Sequence, residues 1–392
     1  MTIDEKYVDT VVVGGGVIGC SIAYYLAKEG ISVALFEKYE LASGASGANQ
    51  GVAAAQLYDP PLLELVLESI KLYNELERTL PIDFELDKCG SIICAIEERH
   101  WNILEERANT LRKFNVNVEL IEGAELREME PSLSTEILGA SLCSEDILVN
   151  PFKLTYAFAN AARRFGANIN TYCTVRRVVV KDGEVESIIT DKGQIKTDHV
   201  VISAGAWSTL IEGLEELKLP ISPQRGQVFV TEPIRPLRFR IILDADYLVT
   251  ATTTSHAERF EDLRLKRRIA AALSQTRSGN ILIGSSRDLA GYDKRTTILD
   301  LKIIATRALK FLPFLSRINV IRTFAGLRPY SHDDLPILGE VPSIKGLFIA
   351  TGHCGNGIAL APVTGKIIAD LITKGESSIK NIDRFSVSRF KA

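Results

Sequence analysis

The sequence predicts an α/β fold with two domains, one built on a parallel sheet and the other on an antiparallel sheet. A strand, a helix and a second strand follow one another at the start of the chain, with glycines at the first turn. Strand patterns typical of antiparallel pairing appear within residues 221–320. A length of 392 residues allows two or three domains, at about 100 to 200 residues each.

Composition and charge limit the class of protein. Hydrophobic residues make up 46% of the chain and charged residues 24%, as in ordinary globular proteins. A net charge of -3 argues against a nucleic-acid partner. The 6 cysteines and 5 histidines lack the spacing of metal sites. We therefore expect no bound metal. The thiols should pack as small apolar groups rather than act as metal ligands or form disulfides. We also expect a cytoplasmic setting, with peripheral membrane association left open.

Residues 8–27 form a stretch poor in charge that resembles a signal peptide or a membrane span. Asp9 lies inside it, the glycines 14–16 interrupt it, and the residues before it are mixed in charge. We expect no transmembrane segment. The stretch divides into a strand at 10–13 and a helix at 17–28.

A second strand, 32–36, completes a β-α-β unit, and Gly14, Gly16 and Gly19 form G-x-G-x-x-G at its first turn. Such glycines permit a tight turn, close approach of a pyrophosphate and close packing of helix on strand. Glu37, at the end of the second strand, can accept hydrogen bonds from ribose hydroxyls. The unit predicts a bound dinucleotide, and the alternative is a glycine-rich turn beside a solvated glutamate.

Residues 39–56, YELASGASGANQGVAAAQ, replace the further alternating strands and helices expected of an NAD-binding domain. Without bulky side chains, their N–H groups and serine hydroxyls can lie against a diphosphate and a flat ring. Together with the glycine turn, this segment resembles the flavin-binding region of the D-amino-acid oxidase family of FAD-dependent oxidoreductases, which includes glycine and sarcosine oxidases. A flexible linker is the alternative.

The rest of the pattern is consistent with a two-domain flavoprotein. The resemblance implies a discontinuous Rossmann-like FAD-binding domain, 1–84, 146–220 and 321–392, and an antiparallel substrate domain, 85–145 and 221–320. Helices are predicted at 62–80, 101–114, 151–165 and 358–373, and strands at 90–96, 168–180, 185–190, 228–231, 247–250, 280–285 and 347–350, with a further strand from 199 that opens into a turn.

The resemblance implies non-covalently bound FAD held by several parts of the chain. Val175 matches the position whose backbone faces the adenine. The expected cofactor-binding residues are Gly14, Gly16, Val17, Ile18, Gly19, Glu37, Lys38, Ser43, Ala45, Ser46, Asn49, Gln50, Gly51, Val175, Ala204, Gly205, Trp207, Arg328, Gly355, Asn356, Gly357 and Ile358.

An insertion lies at 251–276, where glycine oxidases have a short hairpin. It contains the helix-forming run ERFEDLRLKRRIAAAL. In this region the chain is more similar to hydroxyproline dehydrogenases and to β subunits of hetero-oligomeric sarcosine oxidases. The insertion is interpreted either as an active-site lid or subunit contact, or as a solvated surface helix.

The segment FAGLRP, 324–329, resembles the family's substrate-side strand, in which an arginine binds the substrate carboxylate. A planar guanidinium binds a carboxylate through two parallel N–H bonds. Arg328 is therefore the main catalytic candidate, and an ion pair with Asp333 or Asp334 is its structural alternative. Tyr247 and Tyr330 are candidates to hydrogen-bond the substrate, or else are core residues.

The turn TGHCGNG, 351–357, leads into the last predicted helix. A helix N-terminus facing the flavin would stabilise negative charge on the reduced ring. Glycine oxidase has an arginine in place of Gly355, which suggests a roomier or differently charged pocket here. His353 is interpreted mainly as structural, and a covalent flavin link through Cys354 is disfavoured.

The resemblance implies an enzyme that oxidises the Cα–N bond of a small amino or cyclic imino acid by hydride transfer to flavin N5. Candidate substrates are D-amino acids, glycine, sarcosine, proline and hydroxyproline. The chain acts alone or as a catalytic β subunit whose partner carries an iron–sulfur or second flavin centre. A non-catalytic FAD-binding or electron-relay subunit is the alternative. Stereochemistry and electron acceptor stay open.

Overall fold

The computed structural model describes residues 7–235, 237, 240–252, 264 and 267–390. Eighteen strands and eight α-helices are found in this part of the chain. The helices are α1 Val17–Lys28, α2 Leu62–Thr79, α3 Glu98–Arg112, α4 Gly123–Met129, α5 Pro151–Arg164, α6 Asp246–Thr252, α7 Ile298–Phe311 and α8 Gly357–Lys374.

The strands form two eight-stranded sheets and one short pair, β3 with β7. Their bounds are β1 Tyr7–Val13, β2 Val33–Phe36, β3 Val52–Ala53, β4 Ser91–Ala95, β5 Val118–Glu122, β6 Gly139–Cys143, β7 Ile147–Leu148, β8 Asn168–Asn170, β9 Val175–Lys181, β10 Glu184–Thr190, β11 Gly193–Ile202, β12 Ile221–Thr231, β13 Ile241–Asp244, β14 Ala272–Gln275, β15 Ile281–Gly284, β16 Val320–Ser331, β17 Ile337–Glu340 and β18 Leu347–Thr351.

The first sheet has the order β17-β18-β11-β1-β2-β8, with β10 and β9 added beside β11. Strands β18, β11, β1, β2 and β8 are parallel to one another, and β17 pairs antiparallel with β18 at the edge of the row. Central strands such as β2 are buried along their whole length because helices cover the sheet. Helices α1 and α8 pack so closely that a β-carbon at Gly365 would collide with Ser21. The predicted parallel unit is confirmed.

The second sheet has the order β16-β12-β15-β14-β13-β4-β6-β5 and is antiparallel except between β13 and β4. Its longest ladder runs between β12 and β16, from the pair Ile221–Ser331 to the pair Thr231–Val320. Strand β16 therefore belongs to the second sheet, although it lies in a segment assigned to the first domain. The predicted domain boundaries remain a prediction.

Two predicted strands were wrong in detail. Residues 247–250 lie in α6 and not in a strand. Strand β13 ends at Asp244, and the Asp244 carboxylate accepts the N–H of Asp246 at 3.0 Å. This hydrogen bond stabilises the first turn of α6. The single strand expected at 168–180 is two strands, β8 and β9. They pair with different neighbours, β2 and β10.

Part of the insertion lies outside the described residues, namely 253–263, 265 and 266, so the helix predicted there is not tested. Its last residues are not helical, since Ala272–Gln275 forms β14 between β13 and β15. Across the described part of the chain, every helix is too short or too polar to span a bilayer.

Candidate active site

A cavity of about 600 Å³ is bounded by residues of both large sheets. On the side of the first sheet it is lined by the turns that follow β1, β2 and β11, and by the loop before β3. These turns stand at the carboxyl ends of parallel strands, where α/β sheets bind ligands. On the side of the second sheet it is lined by residues of β12, β14 and β16, and by the residues after β15.

The glycine turn lies at one end of this cavity. Gly14 has φ +111°, and a β-carbon there would stand 2.6 Å from the carbonyl oxygen of Ser203. Gly16 caps α1, and the N–H of Val17 donates to Ser46 Oγ at 2.9 Å. Gly19 does not line the cavity but packs α1 against Gly14. The turn thus presents backbone to the cavity, as a diphosphate site requires.

Glu37 is fixed beside this turn. Its carboxylate accepts the N–H of Gly15 at 2.7 Å and the N–H of Tyr39 at 2.8 Å. Glu37 also lines the cavity. Its Oε1 accepts the Ser43 hydroxyl as well, at 3.4 Å, whereas Oε2 accepts only the Gly15 N–H among the described residues and keeps a second acceptor site. The group can therefore still accept hydrogen bonds from ribose hydroxyls.

The loop from Ser43 to Gly51 is ordered by its own side chains. The Asn49 amide donates to the carbonyl oxygens of Ala45 and Ser46 at 3.0 and 2.7 Å, and accepts the N–H of Gly51 at 2.8 Å. Gln50 donates to backbone carbonyls of the second sheet at 2.8 and 2.9 Å. These bonds favour a binding loop over a flexible linker.

The helix α8 begins at the cavity wall. Gly355, Gly357 and Ile358 line the cavity, whereas Asn356 caps the helix without lining it. Because α8 has 18 residues and begins here, its unsatisfied N–H groups and its dipole make this part of the wall electropositive.

Arg328 lies on β16 and is held in one orientation. Its Nη1 donates to the carbonyl oxygen of Ser286 at 2.9 Å and its Nη2 to Ser285 Oγ at 2.8 Å. The guanidinium lies against Gly226, where a β-carbon would collide with it. Its Nε has no acceptor among the described residues and faces the space beside Gly355, whose β-carbon would stand 3.4 Å away.

Burial, together with the charges of Arg287 and Arg268, lowers the pKa of Arg328 to about 10. The group is therefore still a cation at neutral pH. The alternative ion pair with Asp333 is not formed, since that carboxylate pairs with Arg389 at 2.6 Å. Arg328 thus has the donors and the charge to bind a ligand carboxylate in the cavity.

The two candidate tyrosines differ in position. Tyr247 lines the cavity from α6, and the guanidinium carbon of Arg287 lies 4.2 Å from the centre of its ring. Tyr330 is 5% exposed, does not line the cavity, and pairs through its backbone with His353. The position of Tyr247 fits a substrate contact better than that of Tyr330.

A buried ion cluster holds the start of α6. The carboxylate of Asp246 accepts hydrogen bonds from Arg307 at 3.0 Å and His100 at 3.1 Å, and also pairs with Arg264. Although burial opposes ionisation, the His100 bond and the Arg264 charge hold the pKa of Asp246 below its ordinary value. Tyr247 is the next residue, so the cluster fixes the backbone that carries it.

His353 and Cys354 line the same wall in uncharged form. Burial lowers the pKa of His353 to about 3, and its ring nitrogen bonds to Thr364 at 3.1 Å. Burial raises the pKa of the Cys354 thiol to about 12. Neither group is suited to proton transfer near neutral pH, which agrees with the structural interpretation of His353.

Most predicted cofactor residues line the cavity, all but Gly19 and Asn356. Sequence reasoning missed the residues that hold Arg328, namely Ser285, Ser286 and Gly226, because their role depends on strand pairing. It also missed Lys294, which lines the cavity and lies 5.1 Å from the ring centre of Trp207. Its neighbour Tyr292 donates a hydrogen bond to the backbone of Ala206, a contact that no motif indicates.

The sequence is similar to a known family and to several known proteins. The pattern that defines the family "DAO: FAD dependent oxidoreductase" matches residues 9–371. Glycine oxidase of Geobacillus kaustophilus is 32% identical over 97% of each chain. Hydrogen cyanide synthase subunit HcnC of Pseudomonas protegens is 28% identical over 98% of this chain and 97% of that protein.

Among solved structures, the L-proline dehydrogenase of P. horikoshii has a fold similar to this chain over nearly its whole length. It superposes with a TM-score of 0.88 at 27% identity and covers 99% of this chain and 98% of its own. The family pattern spans more than half of the chain, and the glycine turn, Glu37 and the start of α8 line one cavity, as an FAD site requires.

Proposed function

The chain belongs to the DAO family of FAD-dependent oxidoreductases, and from this premise we propose that it oxidises the Cα–N bond of a small amino or cyclic imino acid. The candidate substrates are D-amino acids, glycine, sarcosine, proline and hydroxyproline. The observation that carries the proposal is Arg328, a fixed cation in the cavity wall whose Nε, beside Gly355, donates to no residue that the structure describes.

FAD, when bound, supplies the hydride acceptor of the reaction. Residues around the cavity would hold it: the Gly14–Gly16 turn its diphosphate, Glu37 its adenosine ribose, Val175 its adenine and the N-terminus of α8 its flavin ring. The absence of a β-carbon at Gly14 and Gly16 leaves the backbone open to such a group.

The chain's own residues bind and orient the amino acid. Arg328 pairs with the substrate carboxylate, and Tyr247 is placed to hydrogen-bond the same molecule. The positive charges of Arg328, Arg287 and Arg268 disfavour a further positive charge nearby. They therefore promote loss of a proton from the substrate ammonium. A neutral amine is the form from which Cα–H leaves as hydride.

No side chain in this account acts as a strong base. His353 is neutral and bonded to Thr364, and the Cys354 thiol is protonated. Orientation of the substrate by Arg328, and exclusion of water from the cavity, then supply much of the acceleration. The product is an imine, which water hydrolyses or which persists when it is cyclic.

The proposal is tested by anaerobic reduction of the purified, FAD-loaded protein with a panel of amino and imino acids of both hands. We expect at least one of them to bleach the flavin absorbance. The alternative, a non-catalytic or electron-relay subunit, predicts a flavin that no member of the panel reduces. Because anaerobic reduction needs no electron acceptor, a missing partner subunit does not hide the result.

A second measurement identifies the electron acceptor. Turnover with the reducing substrate is measured first with oxygen and then with an artificial dye. Turnover with dye alone supports a dehydrogenase that passes electrons to a quinone or to a partner subunit. Rapid turnover with oxygen supports an oxidase.

A further inference from the structure

Tyr58 lines the cavity on the segment that follows β3. Its N–H donates to the carbonyl oxygen of Ala55 at 3.1 Å, in the 3₁₀ turn that precedes it. The residue is 8% exposed, and none of the residues that the structure describes forms a hydrogen bond with its hydroxyl. Buried hydroxyls normally have a hydrogen-bond partner, so we expect a molecule in the cavity to supply one here.

The Tyr58 hydroxyl is a neutral group. Burial, together with the nearby Tyr247 and Asp146, raises its pKa above the ordinary value of a tyrosine. The phenol therefore stays protonated near neutral pH, where it can form hydrogen bonds but cannot act as a base.

Tyr58 lies at the same end of the cavity as Arg328. It is near Tyr247, since the two phenols act on each other and both residues line the cavity. The ring of Tyr247 contacts Arg287, the residue directly after Ser286, whose carbonyl oxygen accepts a hydrogen bond from Arg328. A small amino acid bound by Arg328 can therefore also reach Tyr58.

The wall around these phenols is largely apolar. Its apolar side chains pack in one cluster with Tyr247, and they are Val52, Leu57, Leu243 and Ala272. The nearby polar side chains are already engaged: Gln50 donates to backbone carbonyls, and Ser285 accepts a hydrogen bond from Arg328. The Tyr58 hydroxyl is therefore a free hydrogen-bonding group in a wall that offers a ligand few others.

The nitrogen of an amino acid is the polar group that needs such a partner. Arg328 cannot serve it, because a guanidinium has donors and no acceptor, whereas a phenol oxygen accepts. An acceptor for the N–H also leaves the nitrogen lone pair free. That lone pair must be available to form the C=N bond as Cα–H leaves as hydride.

We propose that the Tyr58 hydroxyl oxygen accepts a hydrogen bond from the substrate amine, which makes Tyr58 a catalytic residue that selects acids with a nitrogen on Cα. Arg328 then fixes the carboxylate and Tyr58 the nitrogen. Attachment at two points determines which hydrogen or side chain on Cα faces the flavin. This inference rests on the proposed function and adds a residue to the same site.

The test compares ligands that differ only at the nitrogen. Glycine is paired with propionate, alanine of each hand with isobutyrate, and proline of each hand with cyclopentanecarboxylate, so that carbon replaces nitrogen in the second member. Their Kd values are measured by calorimetry on protein whose FAD has been chemically reduced, because a reduced flavin cannot accept a hydride. We expect Tyr58→Phe to raise the Kd of the tightest-binding amino acid about fivefold or more and to leave that of its carbon analogue unchanged.

The matched control is Tyr172→Phe. The Tyr172 hydroxyl donates to Glu40 at 2.9 Å, and the residue is exposed and does not line the cavity. This variant should leave every Kd unchanged. Tyr58→Phe should fold like the wild type, since phenylalanine keeps the ring that packs in a hydrophobic core.

Two results would overturn the inference. One is a Kd that Tyr58→Phe raises equally for the amino acid and its carbon analogue, or for neither. The other is a loss of amino-acid binding in Tyr247→Phe but not in Tyr58→Phe, because the amine would then bind Tyr247.

Anaerobic flavin reduction separates this inference from the proposed function. If an amino acid reduces the wild type and Tyr58→Phe with the same kcat/KM, the proposed function stands and the role of Tyr58 is wrong. If no amino or imino acid reduces the wild type, the proposed function itself is contradicted.

Discussion

Arg328 is oriented before a substrate arrives, because Ser285 and Ser286 already hold two of its nitrogen atoms. The side-chain entropy that a free arginine would lose on binding is therefore largely lost on folding. Its identity was predictable from the GLRP segment. The residues that hold Arg328 were not predictable, because the contact with Gly226 depends on the β12–β16 register, in which Gly226 faces Gly326.

Replacing Arg328 with lysine tests the role of its planar group. An ammonium cannot reproduce both bonds to Ser285 and Ser286 and also form two parallel bonds to a carboxylate. We expect Arg328→Lys to raise KM at least tenfold, about 1.4 kcal/mol or more, measured by steady-state kinetics. Unchanged kinetics would mean that the carboxylate binds elsewhere.

Gly226→Ala tests the contact beneath Arg328. The added β-carbon would collide with the guanidinium and displace it. Because the backbone of Gly226 is not in the left-handed region, the variant should fold. We expect kcat/KM to fall at least tenfold with little change in circular dichroism. Wild-type kcat/KM would show that Arg328 tolerates the shift and that its position is not critical.

At the scale of elements, α6 shows where local sequence patterns fail. Residues 247–250, YLVT, have strand-forming side chains, and a single-sequence pattern therefore favours a strand. The helix forms because Asp244 caps it and because Arg307, His100 and Arg264 neutralise Asp246 at its start. These partners come from distant parts of the chain, so no local pattern reveals them.

Asp246→Asn tests this cluster. Removing the buried negative charge leaves Arg307 and Arg264 with less compensation, and such a loss costs about 3 to 5 kcal/mol. The free energy of unfolding, measured in urea, should fall by that amount, and kcat/KM should fall as Tyr247 shifts.

The matched control for Asp246→Asn is Glu184→Gln. It breaks an exposed pair with Lys345 at 3.1 Å, and exposed pairs contribute less than about 1 kcal/mol. Equal effects of the two variants would show that the Asp246 cluster does not support α6.

At the scale of the whole molecule, the chain passes repeatedly between two sheets. Strands β4–β6 and β12–β16 build the second sheet, and the remaining long strands build the first. The β-α-β unit and the antiparallel character of the second sheet were predictable from periodicity. The location of β16 was not, because its hydrophobic pattern does not identify β12 as its partner.

A buried carboxyl group links the segment after β3 to strand β4 of the second sheet and should make stability depend on pH. Asp146 accepts the N–H of Ala55, at 2.6 Å, and the hydroxyl of Ser91 on β4, also at 2.6 Å. Burial raises its pKa to about 7. A raised pKa means that the folded state favours the protonated form.

The stabilisation is therefore complete below the unfolded pKa, near pH 4, and is lost as the pH rises to about 7. The free energy of unfolding of the wild type, relative to Asp146→Asn, should fall by up to about 4 kcal/mol across this range. Urea titrations of both proteins at several pH values measure the difference. A difference independent of pH would contradict the raised pKa.

The step on which the proposed function depends is the transfer of the Cα hydrogen from an amino acid held by Arg328 to a bound flavin. Its most direct test is stopped-flow anaerobic reduction of the FAD-loaded protein by the best substrate of the panel, with hydrogen or deuterium at Cα, in wild type and Arg328→Met. We expect rapid bleaching by wild type, slower bleaching with deuterium, and at least a hundredfold loss of reduction efficiency in the variant. A protein that binds FAD but is bleached by no amino or imino acid, or is bleached equally well without Arg328, would contradict it.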